Sequence, residues 1–427
     1  MGERLRLLFC DHLNLARGKY LPASKIGDGS SRFCQGVFAI GYDKDLLAAP
    51  GSKMLEGLPD MDAVYRAADI REGWEPDTKV VVADLAESGG AALPLCGRSL
   101  LKRTVRQWQA LGYSPRVGLE LEAYAFQRDG AGRLVPYDTP GAYVYGTGRL
   151  ADPLRFTDAI WSKAAEAGLR MDSLTSEYDS PQFEFTLAHD DPVKAVDEAF
   201  LFRLLAREIA LDHGIILTFM PKPIPGKSGS GLHANLSFLD KDGRNALGEG
   251  RTPETMTPLI RGSIAGLLHH HRGMAGLLAP TVNSYERLRP ASLSGYWRNW
   301  GVDHRGATTR LSAEGGARAR IEHRMGDGAA NPYTAVAVVL QAARLGLAGG
   351  YELPPAETGD CIGRQDAEEG TPDSLAAALE ALAADHELVA AVGAALVENH
   401  IFVKRHEIEK TASLEGDSLR DFYIYYV

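Results

Sequence analysis

The run Gly118-Leu119-Glu120-Leu121-Glu122-Ala123-Tyr124-Ala125-Phe126 reads as a buried β-strand interrupted by two acids. Residues i and i+2 of a strand share one face, so Glu120 and Glu122 point the same way from an otherwise apolar segment. Like charges held close in a poorly solvated place raise each other's pKa unless a cation neutralises them. A bound metal is the direct remedy.

The same device recurs three times. Gln182 and Glu184 alternate with Phe183, Phe185 and Leu187. His233, Asn235 and Ser237 alternate with Leu232, Ala234, Leu236 and Phe238, just after the glycine-rich turn Gly229-Ser230-Gly231. Arg320, Glu322 and Arg324 make the fourth set. Four strand-like segments, each chemically loaded on one face only, predict a single sheet or barrel whose concave side is an active site. Helical spacing at 153–167 with Asp152 as cap, and at 192–213, 255–278 and 332–347, gives an α+β or α/β pattern. Residues 4–8, 36–42 and 79–84 are β-rich with Gly and Pro between them, which predicts a small β-rich domain ending near Ser88-Gly89-Gly90. A helix at 99–111 leads from there into the Glu120 strand, and Pro372-Asp373-Ser374 opens a late amphipathic helix through Leu375, Leu379 and Leu382.

A chain of 427 residues has room for two or three domains and a large core. Its net charge of -10 and the lack of any Lys/Arg block argue against a nucleic-acid surface or an anionic membrane as partner. Cys10, Cys34, Cys96 and Cys361 lie far apart without metal-type or disulfide spacing, and the opening residues lack an apolar signal core. No stretch approaches the roughly 18 apolar residues of a membrane span. The expectation is a cytoplasmic small-molecule enzyme.

The candidate ligands are Glu120, Glu122, Glu177, Glu184, Glu322 and one imidazole, His233. Such oxygen-dominated sets suit Mg²⁺ or Mn²⁺ better than zinc. Arg287, Arg305, Arg310, Arg320 and Arg324 lie in the same region, and guanidinium forks bind carboxylate and phosphate bidentately. Metals and arginines together point to phosphoryl transfer. Taken singly, each piece has a plainer reading: Glu-x-Glu is usually a solvated edge, a lone His structural, and Arg-x-Glu-x-Arg a salt-bridge ladder. Their joint occurrence on four one-faced segments is what argues for a site. His269-His270-His271 looks like a metal cluster, but adjacent residues on a helix diverge by about 100° each, which favours an ordinary helical stretch. Asp28-Gly29-Ser30-Ser31 reads as a polar turn.

The motifs resemble those of the glutamine synthetase family, in order along essentially the whole chain. The resemblance is carried by residues 118–126, 177–184 and 229–233, by Asn283-Ser284-Tyr285-Glu286-Arg287-Leu288, and by RIEHRMGDGAANPY at 320–333. It implies an α+β fold: an N-terminal β-grasp-like domain (1–92) and a catalytic domain (97–427) whose curved antiparallel sheet, flanked by helices, forms half of a funnel-shaped site. It also implies a homo-oligomer of stacked rings, a dodecamer, in which the neighbouring subunit's small domain completes that site. The implied activity is that of a carbon–nitrogen ligase: ATP phosphorylates glutamate's γ-carboxylate, and an amine displaces the phosphate.

By position, the resemblance makes Glu122, Glu177 and Glu184 the ligands of one metal and Glu120, His233 and Glu322 those of a second, with two or three Mg²⁺ or Mn²⁺ per site. Arg287 and Arg324 would hold glutamate's carboxylates, with a backbone contact from Gly229. Arg305, Arg310 and Arg320 would face the ATP phosphates and the acyl-phosphate. Asn235, Ser237 and Asp172 match nucleotide contacts, and His189 falls where an aromatic ring stacks on adenine.

Two places depart from the family pattern. In ammonia-using members a glutamate six residues past the Arg of the Asn-Ser-Tyr-x-Arg-Leu motif closes over the site and helps bind ammonium; here Leu293 stands there. In the small domain an aspartate followed three residues on by a serine is matched by Asp43 and Leu46, which leaves Asp43 as the group that could deprotonate an amine. An apolar side chain in place of a carboxylate removes the charge that binds ammonium and leaves room for an organic amine. The expected activity is therefore γ-glutamyl-amide formation with a mono- or polyamine. True glutamine synthesis (glutamate–ammonia ligation) is the alternative, and a non-catalytic scaffold or regulatory protein on the same fold is a third reading.

Overall fold

The computed structural model describes residues 3–250, 252, 255–360 and 370–427. Cys361 lies outside them; Cys10, Cys34 and Cys96 are free thiols.

The chain opens with β1 (Arg4–Cys10), β2 (Ala16–Pro22), β3 (Gly29–Cys34), β4 (Asp60–Tyr65), β5 (Arg71–Glu72), β6 (Thr78–Val82) and β7 (Asp84–Glu87). They make a mixed four-stranded sheet of order β2-β1-β6-β5, with β1 and β6 parallel at its centre, and a three-stranded sheet β3-β4-β7. A sheet whose first and last strands run parallel in the middle is of the expected β-grasp kind. Two local expectations differ. Residues 36–42 do not form a strand: Gln35–Ala39 is a short 3₁₀ turn whose Phe38 carbonyl accepts from the Asn399 amide, 361 residues on in the chain, so a tertiary contact overrides β propensity. Asp28 does cap a turn, accepting from Ala67 N, but Gly29-Ser30-Ser31 begins strand β3.

Then follow α1 (Gly97–Ala110), β8 (Ser114–Arg128), β9 (Leu134–Pro136), α2 (Phe156–Glu166), β10 (Met171–Ser176), β11 (Gln182–Leu187), α3 (Pro192–Asp212), β12 (Ile216–Thr218) and β13 (Leu232–Leu239). After these come α4 (Pro258–His269), α5 (His271–Leu278), α6 (Ser284–Arg287), β14 (Trp300–Val302), β15 (Thr309–Leu311), β16 (Ile321–His323), α7 (Pro332–Gly349), α8 (Leu375–Ala384), α9 (His386–Val392), α10 (Ala394–Thr411) and α11 (Gly416–Tyr423). The large sheet runs β10-β11-β8-β13-β16-β15-β14, with β9 and β12 pairing the far half of β8. It is antiparallel except where β14 and β15 pair in parallel, because residues 303–308 double back between them.

One face of β8 is apolar throughout. Val117, Leu119, Leu121, Ala123 and Ala125 are all buried and join the main core with Phe183, Phe185, Leu236 and the helices α1, α3 and α7. The opposite face is polar at Glu120 and Glu122 and turns apolar at Tyr124 and Phe126, which pack in a separate cluster with Tyr42, Val403 and Tyr423. That face is therefore open only over its polar half.

Helix α2 starts later than its spacing suggests. Arg155 N bonds Asp152 O to make a turn first, and the Asp152 carboxylate reaches across it to cap Thr157 N at 2.8 Å. The predicted long helix 255–278 is broken at His270 into α4 and α5. No single helix among the described residues is long and apolar enough to cross a membrane.

Candidate active site

Antiparallel register assembles the site. Glu122 of β8 stands opposite Glu184 of β11, Glu120 opposite both Thr186 and His233, and Asn235 opposite both Gly118 and Glu322. Arg310 of β15 faces Glu322 in turn. Directly opposed residues project to the same side of a sheet. The four polar sets therefore share one face, as their period of two predicted.

His233, almost fully buried, sits between two groups of acids. Its Nδ1 lies 3.1 Å from Glu120 and 3.8 Å from Glu322, while its Nε2 lies 3.6 Å from Glu122. Potential ligand atoms of Glu120, His233 and Glu322 fall within 4.8 Å of one another, and so do those of Glu122, Glu184 and His233. Glu177, just past β10, feels the charge of Glu122 and shares a hydrogen bond with Glu184. Two donors fix Glu122: Gly231 N at 2.8 Å and Gln182 Nε2 at 3.3 Å. The glycines of that turn are needed for close approach. A Cβ on Gly231 would stand 2.6 Å from His233 Nε2, and one on Gly229 would stand 2.4 Å from Arg287 Cγ.

Electrostatically the two groups differ. Burial first, then the charges of Glu120, Glu122 and Glu177, push the Glu184 carboxyl up to about 8. Burial and Glu122 likewise raise Glu177. Burial would raise Glu120 too, but the hydrogen bonds from His233 and Asn235 and the charge of Arg324 bring it down to about 2. Glu322 also lies below its ordinary value, because Arg324, His233 and Arg310 outweigh its burial. On the Glu122/Glu177/Glu184 side the carboxyls crowd one another and two of them hold their protons more tightly than usual, a strain that a divalent cation would relieve. On the same face Gln182 Oε1, Asn235 Oδ1, Arg310 Nε and Arg324 Nε are buried without a hydrogen-bond partner, leaving polar capacity for a ligand.

The remaining candidates are spread around this centre. Arg324 pairs with Glu322, and its Nη2 donates to Leu293 O at 3.4 Å. Arg310 joins Glu322 at 3.1 Å and pairs with Asp303. Buried Arg287 donates to the carbonyls of Met325 at 2.8 Å and Arg324 at 3.0 Å. Arg320 is turned to Glu314 at 3.0 Å, and Arg305 is exposed between β14 and β15. Asp172 is exposed at a bulge in the edge strand β10. Ser237 lines a cavity of about 1000 Å³ together with His189, Tyr113, Arg116, Arg170 and Arg244. Sequence reasoning missed those last four, although Arg116 is the register partner of Ser237 and so was readable once the strands were paired.

Asp43 accepts from His406 Nε2 at 2.9 Å and pairs with Lys410 at 3.3 Å, both on α10. Burial acts upward on its carboxyl, but these two partners and the Asp45 backbone bring it below the ordinary value. Leu293 is 51% exposed, which leaves its side chain free to meet a ligand. Its loop is held down at Gly295, where φ is +82° and a Cβ would lie 2.8 Å from the Arg324 backbone.

The model of the glutamine synthetase catalytic domain matches residues 94–421. The glutamine synthetase of Pyrococcus abyssi is 31% identical over 423 residues, covering 95% of this chain and 90% of that protein. A gamma-glutamylethanolamide synthetase of Streptomyces coelicolor is 34% identical over 290 residues, 66% of this chain and 61% of that one. A solved glutamine synthase homologue superposes with a TM-score of 0.85 at 25% identity, covering 100% of this chain and 99% of its own. Together with the acid-lined sheet, these matches define an ATP-dependent carbon–nitrogen ligase. The chain belongs to the glutamine synthetase family.

Proposed function

We propose that the chain uses ATP to phosphorylate the γ-carboxylate of glutamate and transfers the γ-glutamyl group to an organic amine or polyamine. The observation that carries the choice of acceptor is Leu293. An apolar, half-exposed side chain stands on the loop bonded to Arg324, where an acid would bind ammonium. Apolar surface at that point favours the carbon skeleton of an amine.

Divalent cations, Mg²⁺ or Mn²⁺, held by Glu122, Glu177 and Glu184 and by Glu120, His233 and Glu322, would neutralise the charge that develops on the transferred phosphate. Arg287, Arg324 and the Gly229 backbone bind glutamate. Arg305, Arg310 and Arg320 face the phosphates. Asn235 and Ser237 meet the nucleotide, with Asp172 at the rim and the cavity beside Ser237 large enough for its base. A γ-carboxylate oxygen attacks the γ-phosphorus and ADP leaves. The neutral amine nitrogen then attacks the acyl carbon, phosphate leaves, and the proton that the nitrogen gives up ends on the departing phosphate. Asp43 of a neighbouring subunit in a ring assembly approaches from the amine side. Its carboxylate, kept ionised by His406 and Lys410, attracts an alkylammonium and is only a weak base.

The test is phosphate release from ATP with Mg²⁺ and glutamate, comparing ammonium with alkyl, aryl and polyamines. A preferred organic amine supports the proposal. Ammonium as best acceptor would establish glutamine synthesis instead, the reading that the near full-length match to an archaeal glutamine synthetase favours.

A further inference from the structure

The triple histidine 269–271 does not behave as a continuous helix. α4 ends at His269 and α5 begins at His271, so His270 sits in the break. The kink sends His271 into the core, where its Nε2 meets Tyr296 O at 3.1 Å. It also brings the His269 and His270 rings together edge to face, 4.9 Å between centroids. Glu387, from the start of α9, completes a set whose potential ligand atoms lie within 4.8 Å of one another.

We infer that His269, His270 and Glu387 form a transition-metal site, for zinc or a similar borderline ion, separate from the acid-lined sheet. His270 is prepared for ligation: its Nδ1 is held by Asp385 at 2.8 Å, which orients the ring and leaves Nε2 facing the cluster. The Tyr351 hydroxyl stands 3.4 Å from that Nε2 and bonds Glu387, so it occupies the place of a fourth donor. The Tyr351 ring stacks on His269 at 4.0 Å and fixes that imidazole as well. Two nitrogens and a carboxylate select zinc, copper or nickel over Mg²⁺. Asp385 and Glu387 supply negative charge against the nearby Arg298. Binding at about 2.1 Å draws the three ligands to about 3.4 Å apart, a contraction that side-chain rotation at exposed His269 and Glu387 can supply. The Asp43/Asp45/His406 group offers no such vacancy, since the Lys410 ammonium already pairs with both acids.

The test uses the full chain, stripped of metal and held in excess Mg²⁺, then titrated with Co²⁺. Wild type should take up one more Co²⁺ per chain than Glu387→Gln or His269→Gln, with a visible nitrogen-ligand d–d band that Zn²⁺ abolishes. Both substitutions are at exposed positions, and matching circular dichroism in the metal-free state verifies their folding. Equal Co²⁺ uptake and identical spectra in wild type and both variants would overturn the assignment.

Discussion

Glu122 is fixed by two donors and crowded by Glu184 and Glu177, so its charge has one use that its surroundings explain: holding a cation. Glu122→Gln keeps the shape and removes the charge. ATP-dependent phosphate release should fall by at least about 100-fold with an unchanged circular dichroism spectrum; retained turnover would remove Glu122 from the ligand set. Glu184 supplies a pH test. In the metal-free protein burial and its neighbouring acids push its carboxyl from the ordinary 4.5 up to about 8. Between those values the folded state keeps a proton that the unfolded chain has lost, so metal-free stability falls as pH rises through this window. A bound divalent cation needs the carboxylate and offsets that loss. Mg²⁺ should therefore raise the thermal midpoint more at about pH 9 than at about pH 6; equal shifts would contradict the account. At this scale the strand-borne acids were legible because period-two alternation put them on one face. Glu177 lies off the strands, so no alternation marked it; it was counted among the candidate acids, and only the resemblance grouped it with Glu122 and Glu184. The pairing of Asp43 with His406 was hidden by 363 residues of intervening chain.

Among the elements, α7 shows how one residue both caps a helix and ties it to a distant strand. Asn331, in the Ala-Asn-Pro-Tyr segment, accepts from the backbone N–H groups of Tyr333 and Thr334, both at 3.0 Å, and donates to Asp11 O at 2.7 Å. It both caps the helix and ties it to the end of β1. Asn331→Ala should cost about 2 kcal/mol, read as a lowered denaturant midpoint, because the cap and a buried hydrogen bond are lost together. A loss below about 0.5 kcal/mol would mean that water replaces both. Helices 192–213 and 332–347 were readable from their helical spacing and the Pro that opens each. The break at His270 was not, because the apolar pattern continues across it. The 3₁₀ turn at Gln35–Ala39 was likewise unreadable, since α10 shapes it from the far end of the chain.

In the ring assembly proposed above, Asp43 and the acid-lined sheet of one site belong to different subunits. Asp43→Asn and Glu122→Gln proteins should each be nearly inactive alone, while hybrids assembled by co-expression should regain a measurable fraction of the activity. Hybrids no more active than either parent would mean that each chain carries its own complete site. The specificity claim rests on Leu293 and is tested most directly by the ratio of kcat/KM for the best organic amine to that for ammonium, in the wild type and in Leu293→Glu. A ratio well above one in the wild type, falling at least about tenfold in the variant, is the predicted result. Preference for ammonium in the wild type, or a ratio unmoved by the substitution, would contradict it.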